Sequence, residues 1–261
     1  MHRYFERKYD ALTAQFLLDS NYELIEQLGM GGYGVAYLVE HKETKVHYVL
    51  KRLRRKHRKS EKNKKKFFLE IEILRKLQHV PVPQVIEEGF IADVPFYIMT
   101  YIQGDTFEQR IFRDGAKYSI VDCLNIIEQL MHIVSEIHAQ QIVHRDLRIP
   151  NVIIQGQELA VIDFGLAVEL HHDADMKIKN PKKLQTPASD LYFLGHFLLF
   201  LLYSDYESTE RKERSWQQEL DLPQQVTAFL ERLLTIRPPF QTLDDALQEL
   251  ALVKKVIKSE V

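Results

Sequence analysis

Apolar residues recur at helical spacing from the start of the chain. Phe5, Tyr9, Leu12 and Phe16 predict an amphipathic helix over residues 3–18 that packs on the rest of the protein. The pattern then turns strand-like. Tyr22-Glu23-Leu24-Ile25 leads into a glycine cluster, Val35–Val39 reads as a second strand, and Val46–Lys51 returns as a third after the polar turn His41–Lys45. Residues 62–78 carry Phe67, Ile71, Leu74 and Leu77 on one helical face, and two more strands follow near 84–91 and 95–102. After Gly104 the character changes: 119–139, 188–203, 223–236 and 242–256 all show helical periodicity. The expected class is α+β, with a helical extension at 1–20, a β-rich lobe with one main helix at 21–101, and a mostly helical lobe at 102–261. A cleft between two unlike lobes would be the natural ligand site.

Composition narrows this little. The 261 residues are 45% hydrophobic and 28% charged, as in an ordinary globular chain long enough to bury a sizeable core. The single cysteine, Cys123, rules out an internal disulfide framework and fits a reducing compartment; its apolar-periodic setting predicts a buried structural thiol. Met1–Lys8 lacks an apolar signal core, and the longest apolar run, Leu191–Tyr203, is too short to span a bilayer and reads as a buried helix. A soluble, cytoplasmic protein is expected.

Charge is unevenly spread. Residues 51–66 hold eleven Lys/Arg against Glu61, a local +10 in a chain whose total is −2, so the remainder carries −12. Such a block attracts an acidic partner, an anionic membrane or nucleic acid. No aromatic residues interleave it, which argues against nucleic acid. The plainer reading is a solvated loop and an exposed helix face.

The chemistry is concentrated in His144-Arg145-Asp146-Leu147-Arg148-Ile149-Pro150-Asn151, followed by Asp163-Phe164-Gly165. Asp146 can accept a proton from an attacking hydroxyl; Asn151 and Asp163 can hold metal ions that neutralise phosphates. Gly29-Met30-Gly31-Gly32-Tyr33-Gly34 lies between two strands, where glycines let backbone amides approach phosphates. A β-rich stretch follows the glycines where a nicotinamide-binding fold would want a helix, favouring a strand-loop-strand flap. Lys51, inside an alternating apolar run, supplies a point charge. Glu70 and Glu72 are its candidate partners; they lie about 200° apart on a helix, so both cannot face one side, and Glu70 shares the face of Leu74.

Together these motifs resemble the eukaryotic-type protein kinase family over roughly residues 22–250, in order and approximate spacing. The resemblance implies a bilobal kinase-like fold using ATP and Mg²⁺, with Mn²⁺ as the alternative ion. It implies that Gly29, Met30, Gly31, Gly32, Tyr33 and Gly34 cover the nucleotide and that Lys51, paired with Glu70, binds the α- and β-phosphates. Asp146 would orient the acceptor hydroxyl and act as base, and Asn151 and Asp163 would coordinate metal. Arg148 stands where most serine/threonine kinases carry lysine. Met99 aligns with the gatekeeper, Thr100 and Ile102 would offer backbone groups to adenine, Ile153 completes the nucleotide-binding set, and Asp105 or Thr106 would reach the ribose. Ala36 and Val49, at the two positions that roof adenine, exchange the family's usual larger and smaller residues, which keeps total volume nearly constant.

The larger departure follows Gly165. Ser189–Gly195 matches a family helix, yet no Ala-Pro-Glu precedes it; only Gln185-Thr186-Pro187-Ala188 stands there, so the activation segment is short. The arginine that would pair with that glutamate is replaced by Gln241, so both partners of one ion pair are missing together. Thr186 and Ser189 are the only hydroxyl-bearing residues between Gly165 and Asp190, which weighs against control by segment phosphorylation, although Arg145 is of the type that reads such a phosphate. His171-His172-Asp173-Ala174-Asp175 reads as a polar loop before a metal site. The first reading is a serine/threonine protein kinase with a protein substrate. A small-molecule kinase on the same fold and a catalytically silent scaffold are the alternatives, and arginine at position 148, which occurs in some tyrosine kinases, leaves hydroxyl selectivity open.

Overall fold

The computed structural model describes residues 2–170, 180–207 and 214–260, with side chains from Asp10 in the first helix to Ser259 in the last. It divides into two compact units, Met1–Ile102 and Gln103–Val261.

The first unit runs α1 (His2–Leu18), β1 (Tyr22–Met30), β2 (Gly34–His41), β3 (His47–Leu53), α2 (Glu61–Lys76), β4 (Val85–Ile91) and β5 (Val94–Thr100). The strands form one antiparallel sheet in the order β1-β2-β3-β5-β4. Ser60 starts α2 by accepting the Asn63 N–H, satisfying one of the free donors at a helix start.

Period-2 alternation gives the sheet two distinct faces. Val35, Tyr37, Val39, Leu50, Phe96 and Ile98 form one buried cluster with Leu17 of α1, and Leu12 and Phe16 pack against it. Of the apolar stripe read from the sequence, Leu12 and Phe16 lie at this cluster, and the Phe5 and Tyr9 side chains fall outside those described. The cluster also encloses a charge. Arg52 is fully buried; its Nη2 donates to Asp10 Oδ1 of α1 at 2.6 Å, and its Nε and Nη2 donate to Tyr37 Oη at 3.1 and 2.8 Å. Tyr37 donates its hydroxyl to Asp10. Burial, above all, pushes the Tyr37 phenol above its ordinary value. The opposite face of the sheet carries Ala36, Lys51 and Tyr97 at one register level and Leu38, Val49 and Met99 at the next.

The second unit begins with β6 (Asp105–Thr106), α3 (Phe107–Phe112), α4 (Ile120–Ala139) and β7 (Ile142–Val143). It continues through β8 (Val152–Gln155), β9 (Glu158–Val161), β10 (Val168–Glu169), α5 (Pro187–Leu202), α6 (Trp216–Glu219), α7 (Gln224–Leu233) and α8 (Leu243–Glu260). Helices α3 and α4 both open with capping boxes, Thr106 with Gln109 and Ser119 with Asp122. The strands are short and pair as β6-β8-β9 and β10-β7. Gly104, at φ +141°, precedes them; a Cβ there would lie 2.2 Å from the Ile154 carbonyl oxygen, so only glycine lets the chain pass.

The apolar run Leu191–Tyr203 forms most of α5, a largely buried helix, and Cys123 is a buried free thiol. No helix among the described residues is long and apolar enough to cross a membrane. The differences from the periodicity are local. Helix α7 stops at Leu233 instead of 236, because Thr235 turns to φ +60° and the Ile236 N–H bonds back to the Glu231 carbonyl at 2.8 Å. Helix α8 continues to Glu260, and α3 and the two-residue strands left no readable pattern.

Candidate active site

In the first unit the glycine motif straddles a strand-loop-strand. Gly29 and Met30 end β1, Gly31 to Tyr33 form the loop, and Gly34 opens β2. The loop closes with Gly31 N–H bonded to the Gly34 carbonyl at 3.0 Å. Gly34 has a packing reason: a Cβ would meet Lys51 Cε at 3.1 Å and the Arg52 carbonyl oxygen at 3.3 Å. Lys51 Nζ lies 2.6 Å from Glu70 Oε1 of α2, with both side chains largely buried. Glu72 is exposed, so of the two glutamates it is Glu70 that reaches the lysine. Strand β3 and helix α2 thus converge on one ion pair, which fixes an otherwise flexible ammonium.

Val49 and Met99 face each other across β3 and β5, on the same face as Ala36 and Lys51. Thr100 ends β5. Its N–H bonds to the Gln84 carbonyl and its hydroxyl accepts from the Gln84 N–H, both at 2.9 Å. Ile102 is the last residue of this unit and is half-buried.

In the second unit the residues of the His144–Asn151 loop are tied together tightly. Arg148 donates to Asp146 through two parallel bonds, Nε to Oδ1 at 2.6 Å and Nη2 to Oδ2 at 3.1 Å. The hydrogen bond to Asp146 raises the Arg148 pKa further above its ordinary value. The Asn151 amide group donates both to the Asp146 carbonyl and to Asp146 Oδ2, each at 2.9 Å. Asp146 is only 9% exposed, and these donors hold its carboxyl group in a single orientation. Asp163 lies at φ +61° and is exposed; the residue before it, Ile162, donates its N–H to the Asn151 carbonyl at 2.9 Å. Ile153 is buried in β8. Asp105 bridges to Arg113 at 2.9 Å, and Thr106 caps α3.

The donor set fits a hard cation. Both hydrogens of the Asn151 amide are spent on Asp146, which leaves its oxygen as an acceptor, and Asp163 adds carboxylate oxygens. Among the described residues no group of three or more His, Cys, Asp or Glu is placed to hold a metal ion by itself. Few protein oxygens, completed by substrate phosphates, is the manner in which Mg²⁺ is held. His171–Asp175 lies outside the described residues.

Three residues that sequence reasoning passed over as site elements organise this loop. Asp190, fully buried in α5, accepts the backbone N–H of His144 at 2.9 Å and of Arg145 at 2.6 Å, and the His138 ring of α4 at 2.8 Å. His144 is itself buried. Its Nδ1 accepts the Asp146 N–H at 3.2 Å, its Nε2 donates to the Ile162 carbonyl at 3.2 Å, and its ring stands edge-on to Phe164. Burial lowers its pKa, keeping it neutral in this role. The signal available in advance was Asp190 itself, an acid inside an apolar helix, which a fold tolerates only when its oxygens are satisfied.

The sequence matches the protein kinase domain family over residues 22–240. The chain belongs to that family. It is similar to the Bacillus subtilis (strain 168) protein named "Probable serine/threonine-protein kinase YbdM", with 38% identity over 225 residues covering 86% of each chain. It is also similar to myosin light chain kinase A of Dictyostelium discoideum (32% identity, 56% of this chain and 50% of that one). To serine/threonine-protein kinase PrkC of Bacillus subtilis (strain 168) it is 27% identical, over 71% of this chain and 31% of that one. As a member of the family this α+β chain is an ATP-dependent protein kinase, and the family uses ATP with a divalent metal ion. Gln241, standing where the resemblance expects an arginine, is neutral and exposed, so no buried charge is stranded at that position.

Proposed function

We propose that this kinase transfers the ATP γ-phosphate to serine or threonine hydroxyls of a protein substrate, in the cytoplasm. Glycines 29–34 cover the phosphates, and Lys51, held by Glu70, neutralises them. In the first unit Ala36, Val49 and Met99 contact adenine, with Thr100 and Ile102 offering backbone groups, and Ile153 of the second unit is a further nucleotide-binding residue. Asn151 and Asp163 hold Mg²⁺, or Mn²⁺ in its place, which when bound offsets phosphate charge. Asp146 accepts the hydrogen bond of the attacking hydroxyl and then its proton, and Arg148 adds positive charge near the transferred group. Catalysis is positioning and electrostatics, with little covalent work for the protein.

The observation that carries this reading is the bidentate clamp of Arg148 on Asp146, shared with Asn151: a scaffold without chemistry needs no oriented carboxylate. The serine/threonine preference rests on the likeness to YbdM. The test is transfer of labelled phosphate from ATP to lysate proteins, wild type against Asp146→Asn, followed by phosphoamino-acid analysis. Phosphoserine and phosphothreonine should appear and fall by at least about 10²-fold in the variant. Label on tyrosine, or label undiminished in Asp146→Asn, refutes the assignment.

A further inference from the structure

The tip of the glycine loop is not free-standing. Three consecutive carbonyls accept hydrogen bonds from the segment that follows Lys51. Arg54 Nη1 donates to Gly31 O at 3.1 Å, His57 Nε2 to Gly32 O at 3.0 Å, and the Arg54 backbone N–H to Tyr33 O at 2.7 Å. The Asn63 amide of α2 donates to His57 Nδ1 at 2.7 Å, which leaves Nε2 as the protonated nitrogen facing Gly32. The Tyr33 ring packs on the His57 ring with centroids 5.4 Å apart, and Lys66 Nζ stands 5.1 Å from its centre. Loop and basic segment form one latch.

The same segment presents charge without partners. Lys56, Lys59, Lys62 and Lys65 are exposed and, among the described residues, pair with no carboxylate. The two acids nearby are taken: Glu61 pairs with Lys64 and Asp93 with Arg58. Four unpaired ammonium groups within ten residues, beside a latch built on Arg54 and His57, make a surface complementary to carboxylates. Exposed lysines are compact point charges that suit an acidic peptide, and the Tyr33 ring beside them is already covered by His57 and Lys66, which disfavours stacked bases.

We propose that residues 54–66 bind an acidic protein segment and that its binding unlatches the glycine loop. Carboxylates are stronger acceptors for Arg54 and His57 than the neutral carbonyls of Gly31 and Gly32, so an arriving acidic chain draws both donors away. The released loop holds nucleotide less tightly, so ATP affinity falls and nucleotide exchange quickens. This rests on the reading of glycines 29–34 as the cover of ATP.

The experiment uses a dodecamer of glutamate as the probe, with a serine dodecamer, a single-stranded DNA oligomer and phosphatidylserine vesicles in parallel arms. Binding is followed by calorimetry, and KM for ATP and kcat are measured with and without each probe. The glutamate peptide should bind in a salt-sensitive manner and raise the ATP KM by at least about threefold, since each of the two lost hydrogen bonds is worth about three- to tenfold. His57→Ala should show part of the raised KM with no peptide and a smaller further rise with it, because only the Arg54 tie to Gly31 remains to be drawn away. The charge reversal Lys62→Glu with Lys65→Glu should abolish peptide binding and leave basal KM and kcat unchanged, a result that a merely structural basic segment would not give. Tight MgATP binding with no response to the peptide, peptide binding without a change in KM, or tighter binding of the DNA or the vesicles each overturns this proposal alone. Failure of the wild-type protein to bind MgATP overturns the nucleotide site and the latch with it.

Discussion

Arg52 and Lys51 are sequence neighbours on opposite faces of one strand, each held by an acid from a different helix: Asp10 of α1 and Glu70 of α2. The Asp10 pair makes a sharp prediction. The Arg52 side chain is 0% exposed and the Asp10 side chain 32%. Removing one partner of a fully buried pair costs about 3–5 kcal/mol, because a charge is left in a low-dielectric site. Here Asp10 is partly solvated, and Arg52 keeps Tyr37 Oη and the Leu53 carbonyl at 3.4 Å. The expected loss for Asp10→Leu is therefore nearer about 2–3 kcal/mol. Replacing both partners, Asp10→Leu with Arg52→Met, removes the stranded charge and should recover about 1 kcal/mol of that loss, the buried Tyr37 hydroxyl being left without these two partners. Urea unfolding followed by far-UV circular dichroism reads the whole chain. The single tryptophan, Trp216, lies in α6 of the second unit, so its fluorescence reads that unit separately. The early transition of Asp10→Leu should appear in dichroism and be absent from the fluorescence of Trp216. If Asp10→Leu costs under about 0.5 kcal/mol, or the double variant is no better than the single one, α1 is not anchored by this charge and the reasoning fails.

Three further outcomes are expected. Gly104→Ala places a Cβ 2.2 Å from the Ile154 carbonyl at φ +141°, so it should lower stability by more than about 3 kcal/mol in urea titration, whereas Gly115→Ala, with open space around it, should cost under about 2. Burial pushes the Cys123 thiol up to about 12, so a disulfide reagent at pH 8 should modify the native protein at least about 10²-fold more slowly than the urea-unfolded chain. Burial also lowers the pKa of His144, and of His196 along with repulsion from Lys182, so the unfolded chain takes up protons first. Stability should be level above the ordinary histidine value of about 6.5 and fall as pH drops below it, each group contributing a slope of up to about 1.4 kcal/mol per pH unit; a rise in stability over that interval would contradict the assignment.

What could be read in the chain without a structure was what local spacing encodes. The amphipathic stripe of α1, the period-2 strands and the choice of Glu70 over Glu72 all follow from the geometry of one element and a single contact face. Chemistry-bearing side chains could be picked out because phosphoryl transfer needs particular groups in a particular order. What escaped was long-range polar pairing. Nothing near Arg52 in sequence announces that Asp10, 42 residues earlier, will meet it inside a core, and its place in a basic tract suggested solvent. The tie between Gly32 and His57 spans 25 residues, and the bond from Asp190 to the His144 amide spans 46; neither leaves a periodic trace. Such groups are legible only through their cost, since a polar side chain at an apolar position must find partners somewhere.

Arg145 shows what that cost can reveal about regulation. Its backbone sits at φ +65°, an unfavourable conformation for a non-glycine residue, held by the Asp190 carboxylate on its N–H. Its guanidinium donates Nε to the Leu184 carbonyl at 3.0 Å and Nη1 to the Leu166 carbonyl at 3.3 Å, near the two ends of the short segment. Neutral acceptors therefore occupy the donors that a segment phosphate would use. Of the two hydroxyls available, Ser189 is fully buried and its Oγ has no hydrogen-bond partner among the described residues, while Thr186 is half-buried at the start of α5 and makes no cap there. A phosphate on Ser189 would have to be forced into a packed helix start. A phosphate on Thr186 would find Arg145 already engaged. The protein should therefore be active without segment phosphorylation: phosphatase treatment and Thr186→Ala should each leave kcat within about twofold, a difference of about 0.4 kcal/mol in barrier. Arg145→Met, which frees both carbonyls and loosens the segment, should lower kcat by tenfold or more, about 1.4 kcal/mol. A phosphatase-treated enzyme that lost most of its activity and regained it on incubation with ATP would show that the two leucine carbonyls are a resting arrangement that a phosphate displaces.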